Sequence, residues 1–527
     1  MNNIVSYVMV VCEKPSTAKI ISAVLGAKQR GDGFFHGNGY LVSWCYGHLV
    51  ELADPAAYGE KYGRWSRESL PILPKEWQYK ASTDKVKQIS VLRGLMNRAD
   101  VETVINATDA GREGELIFRL VYDFCKCRKP IKRLWISSLE DSAIREGFTN
   151  LRPGADYDNL YSAALCRSQA DWIVGINGTR LFSCLYGPTL NVGRVQSPAL
   201  AMIVEREKAI AAFEPELFYT PEIYYENQVS DLMKDLIVLS GDDENLKLSF
   251  AAVGERHRNK EEAEAIRIAA DGRDAVVLSV EKGRKTTVPP KLYDLTSLQR
   301  DANRIFGFTA QQTLDYSQSL YEAKIITYPR TDSQYLTEDM AGNALAVITA
   351  LTNVFPFADG FSFVPDISRV IDNSKVSDHF AIIPTLVITN VDLSALPSGE
   401  SRILSLIAAR TLCAVSPIHV FESVLVVLSC GGHLFTAKGK TVLEDGWRTI
   451  DAAYRASLKS NPDVNASGSD DSDPLPELTE GLIFPAVKAI MREGQTKPPA
   501  RFTEDIRYKG GNGKPPKYLG NGSFVAV

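Results

Sequence analysis

The stretch Lys324-Ile-Ile-Thr-Tyr-Pro-Arg-Thr-Asp-Ser333 decides how the rest of the chain is interpreted, because it sets one tyrosine between an apolar approach and phosphate-binding side chains. Pro329 fixes its own φ and favours an extended Tyr328, so Tyr328 and Arg330 project from a stiff segment. A phenol with a pKa of about 10 is a poor nucleophile unless positive charge or a base favours the phenolate. Arg330 can supply that charge. Tyr328 is therefore a candidate nucleophile; the alternative is a short β-strand whose tyrosine only packs.

Composition limits the classes of protein. The chain has 527 residues, 45% hydrophobic and 23% charged, and a net charge of −5. These values are ordinary for a globular multidomain protein, and any contact with nucleic acid has to come from local basic patches. The eight cysteines fit neither zinc-knuckle spacing nor a disulfide framework, which indicates reduced thiols. With no apolar run of about 18 residues and no signal sequence, we expect a cytoplasmic protein that makes no membrane contact.

Two strand–helix units are predicted near the N-terminus. The apolar run Tyr7–Cys12 has strand length, and a helical pattern follows from Ser16 to Leu25. A second strand is predicted at Glu102–Ala107, followed by a helix from Glu113 to about Phe124. Two such units side by side are typical of an open parallel α/β sheet.

Charged residues follow both predicted strands. Because side chains at the carboxyl ends of parallel strands gather at one edge of the sheet, we expect Glu13 and Lys14 to converge with Asp109 and Glu113. Three carboxylates so close together need protonation or a divalent cation, and hard oxygen ligands suit Mg²⁺. The alternative is that these acids only complement the dipoles of helix N-termini.

A helical pattern from about Leu160 to Leu185 carries Arg167, Gln169, Trp172 and Arg180 among apolar positions. An aromatic ring near guanidinium groups suits single-stranded DNA, whose bases stack while its phosphates pair with arginine. The alternative is a solvated helix face.

A glycine-containing loop then precedes another helix that is predicted to begin near Pro198. Glycine lets backbone amides approach a phosphate, and a helix N-terminus attracts anions. The loop is therefore a candidate contact with the DNA backbone, and its residues are Asn191, Val192, Gly193, Arg194, Val195 and Gln196.

The middle of the chain alternates between β-rich and helical patterns. β-strands are predicted from about Phe218 to Val280 and again from about His419 to Trp447. Between them, one helix is predicted from about Thr296 to Phe306 and another from a capping box at Thr309 to near Glu322. A lone histidine, His379, is more often structural than catalytic.

The run Ile-Thr-Tyr-Pro-Arg-Thr-Asp-Ser resembles the active-site signature of type IA DNA topoisomerases, and the chain is similar to their bacterial topoisomerase III branch up to about residue 505. Four other segments agree in the same order. They are Val11-Cys-Glu-Lys-Pro-Ser16, Ala107-Thr-Asp-Ala-Gly-Arg-Glu-Gly-Glu115, Val192-Gly-Arg-Val-Gln-Ser-Pro198 and Asp378-His-Phe-Ala-Ile-Ile-Pro384.

The resemblance implies an α/β multidomain fold that closes into a toroid. Both β-rich stretches would join as a hinge arch around the central hole, with the tyrosine domain inserted between them. The implied divisions are a Toprim domain at 1–152, a helical DNA-binding domain at 153–216, a hinge arch at 217–284 and 403–457, a winged-helix-like tyrosine domain at 285–402, a flexible linker at 458–476, and a remnant of the helical domain with a divergent tail at 477–527.

The resemblance also implies the chemistry. Tyr328 would attack a phosphodiester of single-stranded DNA to give a 5′-phosphotyrosine, with Arg330 stabilising the developing charge and Lys14 assisting the leaving 3′ oxygen. Glu13, with Mg²⁺ held near Asp109 and Glu113, would position the ends for religation.

The family pattern also implies roles for His379 and Trp65 and differs from this chain at Gly111. His379 becomes a phosphate or proton-transfer contact, and Trp65 a DNA contact whose alternative is a half-buried loop anchor. Gly111 replaces the middle acid of the usual Toprim motif, which leaves the number of Mg²⁺ ions open.

The implied activity is relaxation of negatively supercoiled DNA, or decatenation, without ATP. Leu434 stands where a P-loop ending at Gly439-Lys-Thr would need glycine. We expect a monomer, with a helicase as a candidate partner. The tail after Glu504 departs from the family, so we expect cleavage of single strands to persist while strand passage is weak or absent. The alternative is a truncated, catalytically silent remnant that only binds single-stranded DNA.

Overall fold

The computed structural model describes residues 6–228, 247–358, 363–376, 379–458 and 478–502. The predicted linker after Leu458, the divergent tail from Glu504 and Asp378 lie outside the described residues.

Strands and helices alternate in the N-terminal quarter, and long strands dominate the two predicted β-rich stretches. The strands are β1 (Tyr7–Cys12), β2 (Gln29–Arg30), β3 (Phe34–Gly37), β4 (Tyr40–Trp44), β5 (Val50–Leu52), β6 (Tyr79–Ala81), β7 (Val101–Ala107), β8 (Ile131–Arg133), β9 (Arg152–Pro153), β10 (Leu217–Gln228), β11 (Lys247–Val253), β12 (Ala275–Thr287), β13 (His419–Cys430), β14 (His433–Glu444), β15 (Ile483–Phe484) and β16 (Lys488–Gln495). The α-helices are α1 (Pro15–Leu25), α2 (Val86–Met96), α3 (Arg112–Phe124), α4 (Asp141–Thr149), α5 (Asp158–Tyr186), α6 (Gln196–Ala211), α7 (Lys260–Ala270), α8 (Leu295–Phe306), α9 (Ala310–Glu322), α10 (Ala341–Val354), α11 (Ser398–Ala414) and α12 (Arg448–Leu458).

The first sheet has the strand order β2-β3-β4-β1-β7-β8-β9. Its centre is parallel, because β1 pairs with β4 and β7, and β7 with β8, all in the same direction. β1 is buried along Met9 to Cys12, which is typical of a parallel strand covered on both faces. The predicted pair of strand–helix units is confirmed, and the ends of β1 and β7 lie side by side.

The second sheet has the order β15-β12-β13-β14-β11-β10-β16, and its pairings are antiparallel. Both β-rich stretches therefore contribute to one sheet, as the resemblance implied. The sheet also recruits β15 and β16 from 483–495, a region where a helical remnant was expected. β16 pairs with β10 from Leu217 to Tyr224, so tertiary pairing sets its conformation.

The tyrosine-bearing region has its own apolar core, which extends beyond the predicted boundary at 402. Buried residues of α11 and Ile450 and Tyr454 of α12 belong to the same core as Leu298 and Tyr328. The helices of 403–457 therefore pack with the tyrosine region, because this core covers their apolar faces. The strands of the same stretch lie in the second sheet.

Local signals in the tyrosine region are confirmed. α8 ends at Gly307, whose φ of 70° is in the left-handed region that favours glycine. α9 begins with the expected capping box, in which the Thr309 side chain accepts from the Gln312 N–H and the Gln312 side chain from the Thr309 N–H. Within the residues described, no helix combines the length and apolarity needed to cross a membrane.

Candidate active site

Tyr328 lies on an extended segment held between two parts of the chain. After α9, Lys324 adopts a left-handed conformation with φ of 64°, which turns the chain back. Ile326 then forms an isolated antiparallel bridge with Pro384, and the Tyr328 N–H donates to the Ser137 carbonyl oxygen at 3.2 Å. The segment is thus extended without belonging to a regular strand.

The side chain of Tyr328 is buried, with 7% of its surface exposed. Its hydroxyl donates to Asp109 Oδ2 at 3.3 Å. Its ring centroid lies 4.3 Å from that of His379 and 5.3 Å from that of Tyr321, the latter edge to face. The structure therefore joins the tyrosine to the acid at the end of β7, 219 positions away in sequence.

The electrostatic environment keeps this phenol protonated. Burial raises the pKa of Tyr328 well above its ordinary value, and the charges of Asp109 and Glu13 raise it further, while Arg330 opposes them. Arg330 itself is exposed. A nucleophilic phenolate at Tyr328 therefore requires that the proton pass to an acceptor, and Asp109 is already hydrogen-bonded to it.

Glu13 and Asp109 are half-buried and form an acidic pair whose negative charge is poorly compensated. Burial and the charge of Asp109 raise the pKa of Glu13 to about 8, opposed by Lys14, Arg330 and a hydrogen bond from the Asp109 N–H. Burial likewise raises the pKa of Asp109, again against Lys14 and Arg330. Lys14 Nζ is shared with Glu322 Oε1 at 3.6 Å. Two carboxyls whose negative charge is poorly compensated fit a divalent cation.

Glu113, the expected third carboxylate, points toward His48 and not toward Glu13 and Asp109. Glu113, in the first turn of α3, is exposed, and its Oε2 lies 3.5 Å from His48 Nε2. The hydrogen bond with His48 is the main cause that lowers the pKa of Glu113. Within the described ranges, no three His, Cys, Asp or Glu side chains are grouped closely enough to hold a metal ion. The structure thus brings together Glu13 and Asp109, but not the predicted trio.

Arg133 at the end of β8 holds the loop that carries Asp109. Its side chain is fully buried, and its guanidinium donates to four backbone carbonyl oxygens at 2.7 to 3.2 Å. The acceptors are the carbonyls of Asn106, Thr108, Asp109 and Leu134.

The charge of Arg133 is balanced by Glu115, whose Oε2 lies 3.1 Å from Arg133 Nε. Glu115 also pairs with Arg119 Nε at 2.9 Å and accepts from Asn106 Nδ2 at 2.8 Å. A Cβ at Gly114 would lie 2.1 Å from the Asp109 carbonyl oxygen, so glycine is required where α3 approaches the loop. The position of Asp109 is therefore set by a buried ionic network.

His379 is buried and held as a neutral ring. Its Nε2 contacts the Ala110 carbonyl oxygen closely and must donate to it, so Nδ1 accepts from Ser137 Oγ at 2.8 Å. Burial lowers the pKa of His379 to about 4, and Arg133 adds to that effect. In this structure His379 supports Tyr328 and the Asp109 loop by packing and hydrogen bonding.

The predicted DNA-contacting residues gather around a separate open cavity of about 700 Å³ between α5, the loop before α6 and the 54–65 segment. α5 spans the helix predicted from Leu160 to Leu185. The predicted residues that line the cavity are Trp65, Trp172, Arg180, Asn191, Val192 and Gln196.

Two of these side chains are fixed in place. Arg180 donates to the Tyr62 carbonyl oxygen at 2.7 Å and lies over the Trp65 ring at 5.6 Å. Trp172 donates to the Ala53 carbonyl oxygen at 3.1 Å. Trp65 stays 48% exposed, so part of its ring remains open to solvent beside Arg180.

The remaining predicted residues are less buried. Arg194 forms a close ion pair with Asp171, and the Gly193 N–H donates to Ser197 Oγ at 3.1 Å. Arg167 is exposed, and its charge lowers the pKa of Glu113. Gln169 is hydrogen-bonded to the Tyr79 hydroxyl. Val195 is 41% exposed beside the start of α6.

Arg133, Ser137 and Tyr321 support the site but were not predicted from the sequence. Arg133 ends the short run Ile131-Lys-Arg, and a charged residue at the end of a buried strand was a usable signal. Ser137 and Tyr321 carry no such signal, because their roles arise from contacts with distant residues.

Known proteins resemble this chain over most of its length. The DNA topoisomerase family model matches residues 155–506, and the Toprim domain model matches 8–139. The chain is 40% identical over 502 residues to "DNA topoisomerase 3" of Bacillus cereus and 40% identical over 508 residues to that of Bacillus subtilis. These alignments cover 94% and 95% of this chain but 66% of each relative, so the chain spans just under two thirds of their length.

Among solved structures, full-length topoisomerase I from Thermotoga maritima matches with a TM-score of 0.69 at 23% identity, covering 95% of this chain and 74% of that one. The likeness confirms the predicted α/β multidomain fold class. The chain belongs to the DNA topoisomerase family. Within it, the Bacillus relatives confirm the type IA resemblance and the topoisomerase III branch, and the Toprim domain is a fold that binds divalent metal.

Proposed function

We propose that this protein is a type IA DNA topoisomerase that cleaves one DNA strand through Tyr328, passes another strand through the gap and reseals the break without ATP. The observation that carries the proposal is the hydrogen bond between the Tyr328 hydroxyl and Asp109, beside Lys14 and Arg330. A nucleophile, a proton acceptor and two cations thus meet at one place.

Each of these residues has one role in the transfer of the phosphoryl group to Tyr328. The Tyr328 oxygen attacks the phosphorus, and its proton passes to Asp109. Arg330 neutralises charge on the phosphoryl oxygens. The bond to the 3′ oxygen breaks, and Lys14 donates a proton to that oxygen, leaving a 3′ hydroxyl and a 5′-phosphotyrosine. Religation is the reverse reaction, so the energy of the ester is retained.

Glu13 and Asp109 are the residues that would hold Mg²⁺, which would neutralise phosphate charge and help to align the broken ends. Glu113 would join them only after leaving His48. We expect that chelation stops religation and relaxation while some cleavage remains, because Tyr328, Arg330 and Lys14 carry the cleavage. Relaxation that persists without divalent metal would contradict this assignment.

The open cavity beside α5 is proposed to hold the single-stranded DNA that the tyrosine site cleaves. Trp65 offers a stacking surface, and Arg180, Arg194 and Arg167 offer charge for phosphates. The resulting substrates are negatively supercoiled or catenated DNA, acted on in the cytoplasm by a monomer, with a helicase as a candidate partner.

The experiment is to incubate the protein with a single-stranded oligonucleotide, denature it, and search for a covalent adduct by gel mobility. We expect an adduct with the unmodified protein and none with Tyr328→Phe, whose affinity for single strands should stay within a few-fold. An undiminished adduct in the variant would remove Tyr328 from the mechanism. Binding without any adduct would favour the impaired DNA-binding alternative.

A further inference from the structure

A second tyrosine, seven positions after Tyr328, lies between two ammonium groups. Lys291 Nζ is 5.1 Å and Lys375 Nζ 4.6 Å from the centroid of the Tyr335 ring. Both lysines are exposed, and Tyr335 is half-buried. A hydrogen bond from Lys291 is the main cause that lowers the pKa of the Tyr335 phenol. Three polar groups that can bind an anion therefore share one surface position.

The backbone fixes this cluster relative to the tyrosine site. The Tyr335 carbonyl oxygen accepts from the Ala381 N–H at 2.9 Å. Ser333 Oγ accepts from the Tyr335 N–H at 3.1 Å and donates to the Lys375 carbonyl oxygen at 2.9 Å. Ala381 lies two positions after His379, whose ring packs on Tyr328. The cluster is thus anchored to the segment that supports the nucleophile.

The charges around the cluster are unequal. Lys375 pairs with Asp372 at 2.6 Å, whereas Lys291 makes no salt bridge with any residue that the structure describes. Two ammonium groups beside one ring repel each other, so an anion between them would relieve that repulsion. A phosphate diester also suits lysine, which binds phosphates as a compact point charge. The aromatic face can in addition stack on a base.

We propose that Lys291, Tyr335 and Lys375 form a binding subsite for a backbone phosphate of single-stranded DNA. The subsite rests on the proposed function. Because it lies in the region that carries Tyr328, it holds the strand segment that stays attached to that tyrosine through its 5′-phosphate, downstream of the break. Its role is to retain that segment while the break is open.

The test compares the variant Lys291→Gln/Lys375→Gln with the control Lys87→Gln/Lys132→Gln, which removes two exposed lysines from the Toprim region. Affinity for single-stranded oligonucleotides is measured by fluorescence anisotropy across a salt series. Each lost phosphate contact should reduce the slope of log affinity against log salt by about 0.7. We expect that reduction and roughly tenfold weaker binding for the subsite variant, and neither for the control.

The position of the subsite along the DNA strand is tested with oligonucleotides that carry short or long segments on the 3′ side of the cleavage position. The subsite variant should lose affinity for an oligonucleotide with a long 3′ segment. It should lose none for an oligonucleotide whose 3′ segment is a single nucleotide. An unchanged salt slope, an equal loss with both oligonucleotides, or an equal loss in the control would each overturn the subsite. Should the double variant unfold at lower temperature, the single variant Lys291→Gln, which breaks no salt bridge, replaces it.

The outcome is distinguishable from failure of the proposed function. If the covalent adduct forms equally in all variants while binding and its salt slope do not change, only the subsite is wrong. If no adduct forms in any protein, the tyrosine chemistry is wrong, and the salt slopes still decide whether Lys291 and Lys375 bind a phosphate.

Discussion

The tyrosine site and the cavity beside α5 differ in burial: the first is enclosed and hydrogen-bonded, and the second is open to solvent. Around Tyr328, the side chains are buried and joined by hydrogen bonds and ion pairs that fix a protonated phenol against Asp109. Beside α5, the surface is open, Trp65 is 48% exposed, and α6 contributes no buried residue. Bond cleavage needs a preorganised site, whereas holding a flexible strand needs a surface that accepts many bases.

Access of DNA to Tyr328 is restricted by the side chains that enclose it. In the present arrangement the Tyr328 hydroxyl is occupied by Asp109, and His379 covers one side of its ring. In the proposed reaction, the phosphodiester has to reach the Tyr328 oxygen while that hydrogen bond persists, because the phenol proton passes along it to Asp109. If the open cavity holds the DNA, as proposed, binding and cleavage should respond to different substitutions.

The largest effect is expected at Arg133. Arg133→Met leaves Glu115 and four carbonyl groups without their buried partner, so the free energy of unfolding should fall by about 3–5 kcal/mol. The adduct should fall with it, because Asp109 loses its support. Urea unfolding measures the first effect and gel mobility the second. If the free energy of unfolding falls by less than about 1 kcal/mol, the ionic network around Arg133 does not support the loop that carries Asp109.

The buried histidine should make stability depend on pH. Its pKa is lowered to about 4 in the folded protein, against about 6.5 in the unfolded chain. Between these values the unfolded chain binds the proton more readily, so His379 should cost up to about 3 kcal/mol of stability as the pH falls from 6.5 to 4. His379→Gln should flatten that dependence in urea titrations at several pH values. Parallel curves for both proteins would show that His379 is not buried in neutral form.

On the open side, Trp65→Ala should weaken binding without changing the chemistry. One stacked base contributes about 1–3 kcal/mol, so affinity for single strands should fall roughly 5- to 150-fold. At saturating DNA the amount of adduct should match that of the unmodified protein. Trp172→Ala would be a poorer probe, because Trp172 also packs against Tyr58 and Trp77. If Trp65→Ala binds single strands as tightly as the unmodified protein, Trp65 is a loop anchor and not a DNA contact.

The smallest effect on stability is expected at Arg194. Its ion pair with Asp171 is exposed, so Arg194→Gln should change the free energy of unfolding by less than about 1 kcal/mol. If Arg194 contacts one phosphate, the salt slope for single-strand binding should decrease by about 0.7. An unaltered slope, measured beside Lys87→Gln as a neutral control, would place Arg194 outside the DNA contact.

Local signals made much of the fold predictable. The capping box at Thr309, the stop at Gly307 and the strand Tyr7–Cys12 are all present as expected, because each depends on neighbouring residues. The pairing of β16 with β10 was not predictable, because it joins segments about 270 positions apart and no local pattern specifies it.

The candidate site was predictable in membership but not in arrangement. Five motifs identified Tyr328, Glu13 and Asp109, and the parallel sheet explained why the acids meet. The rotation of Glu113 toward His48 depends on side-chain conformation. The role of Arg133 depends on its burial beneath the loop, which only the packed structure reveals.

The most direct test of the account is the polarity of the covalent bond. An oligonucleotide labelled at its 3′ end and an identical one labelled at its 5′ end are each incubated with the protein, denatured and separated by size. We predict that the 3′ label remains with the protein through a bond that peptide mapping assigns to Tyr328, while the 5′ label leaves on a fragment ending in a 3′ hydroxyl. A protein-bound 5′ label, or a bond assigned to another residue, would contradict it.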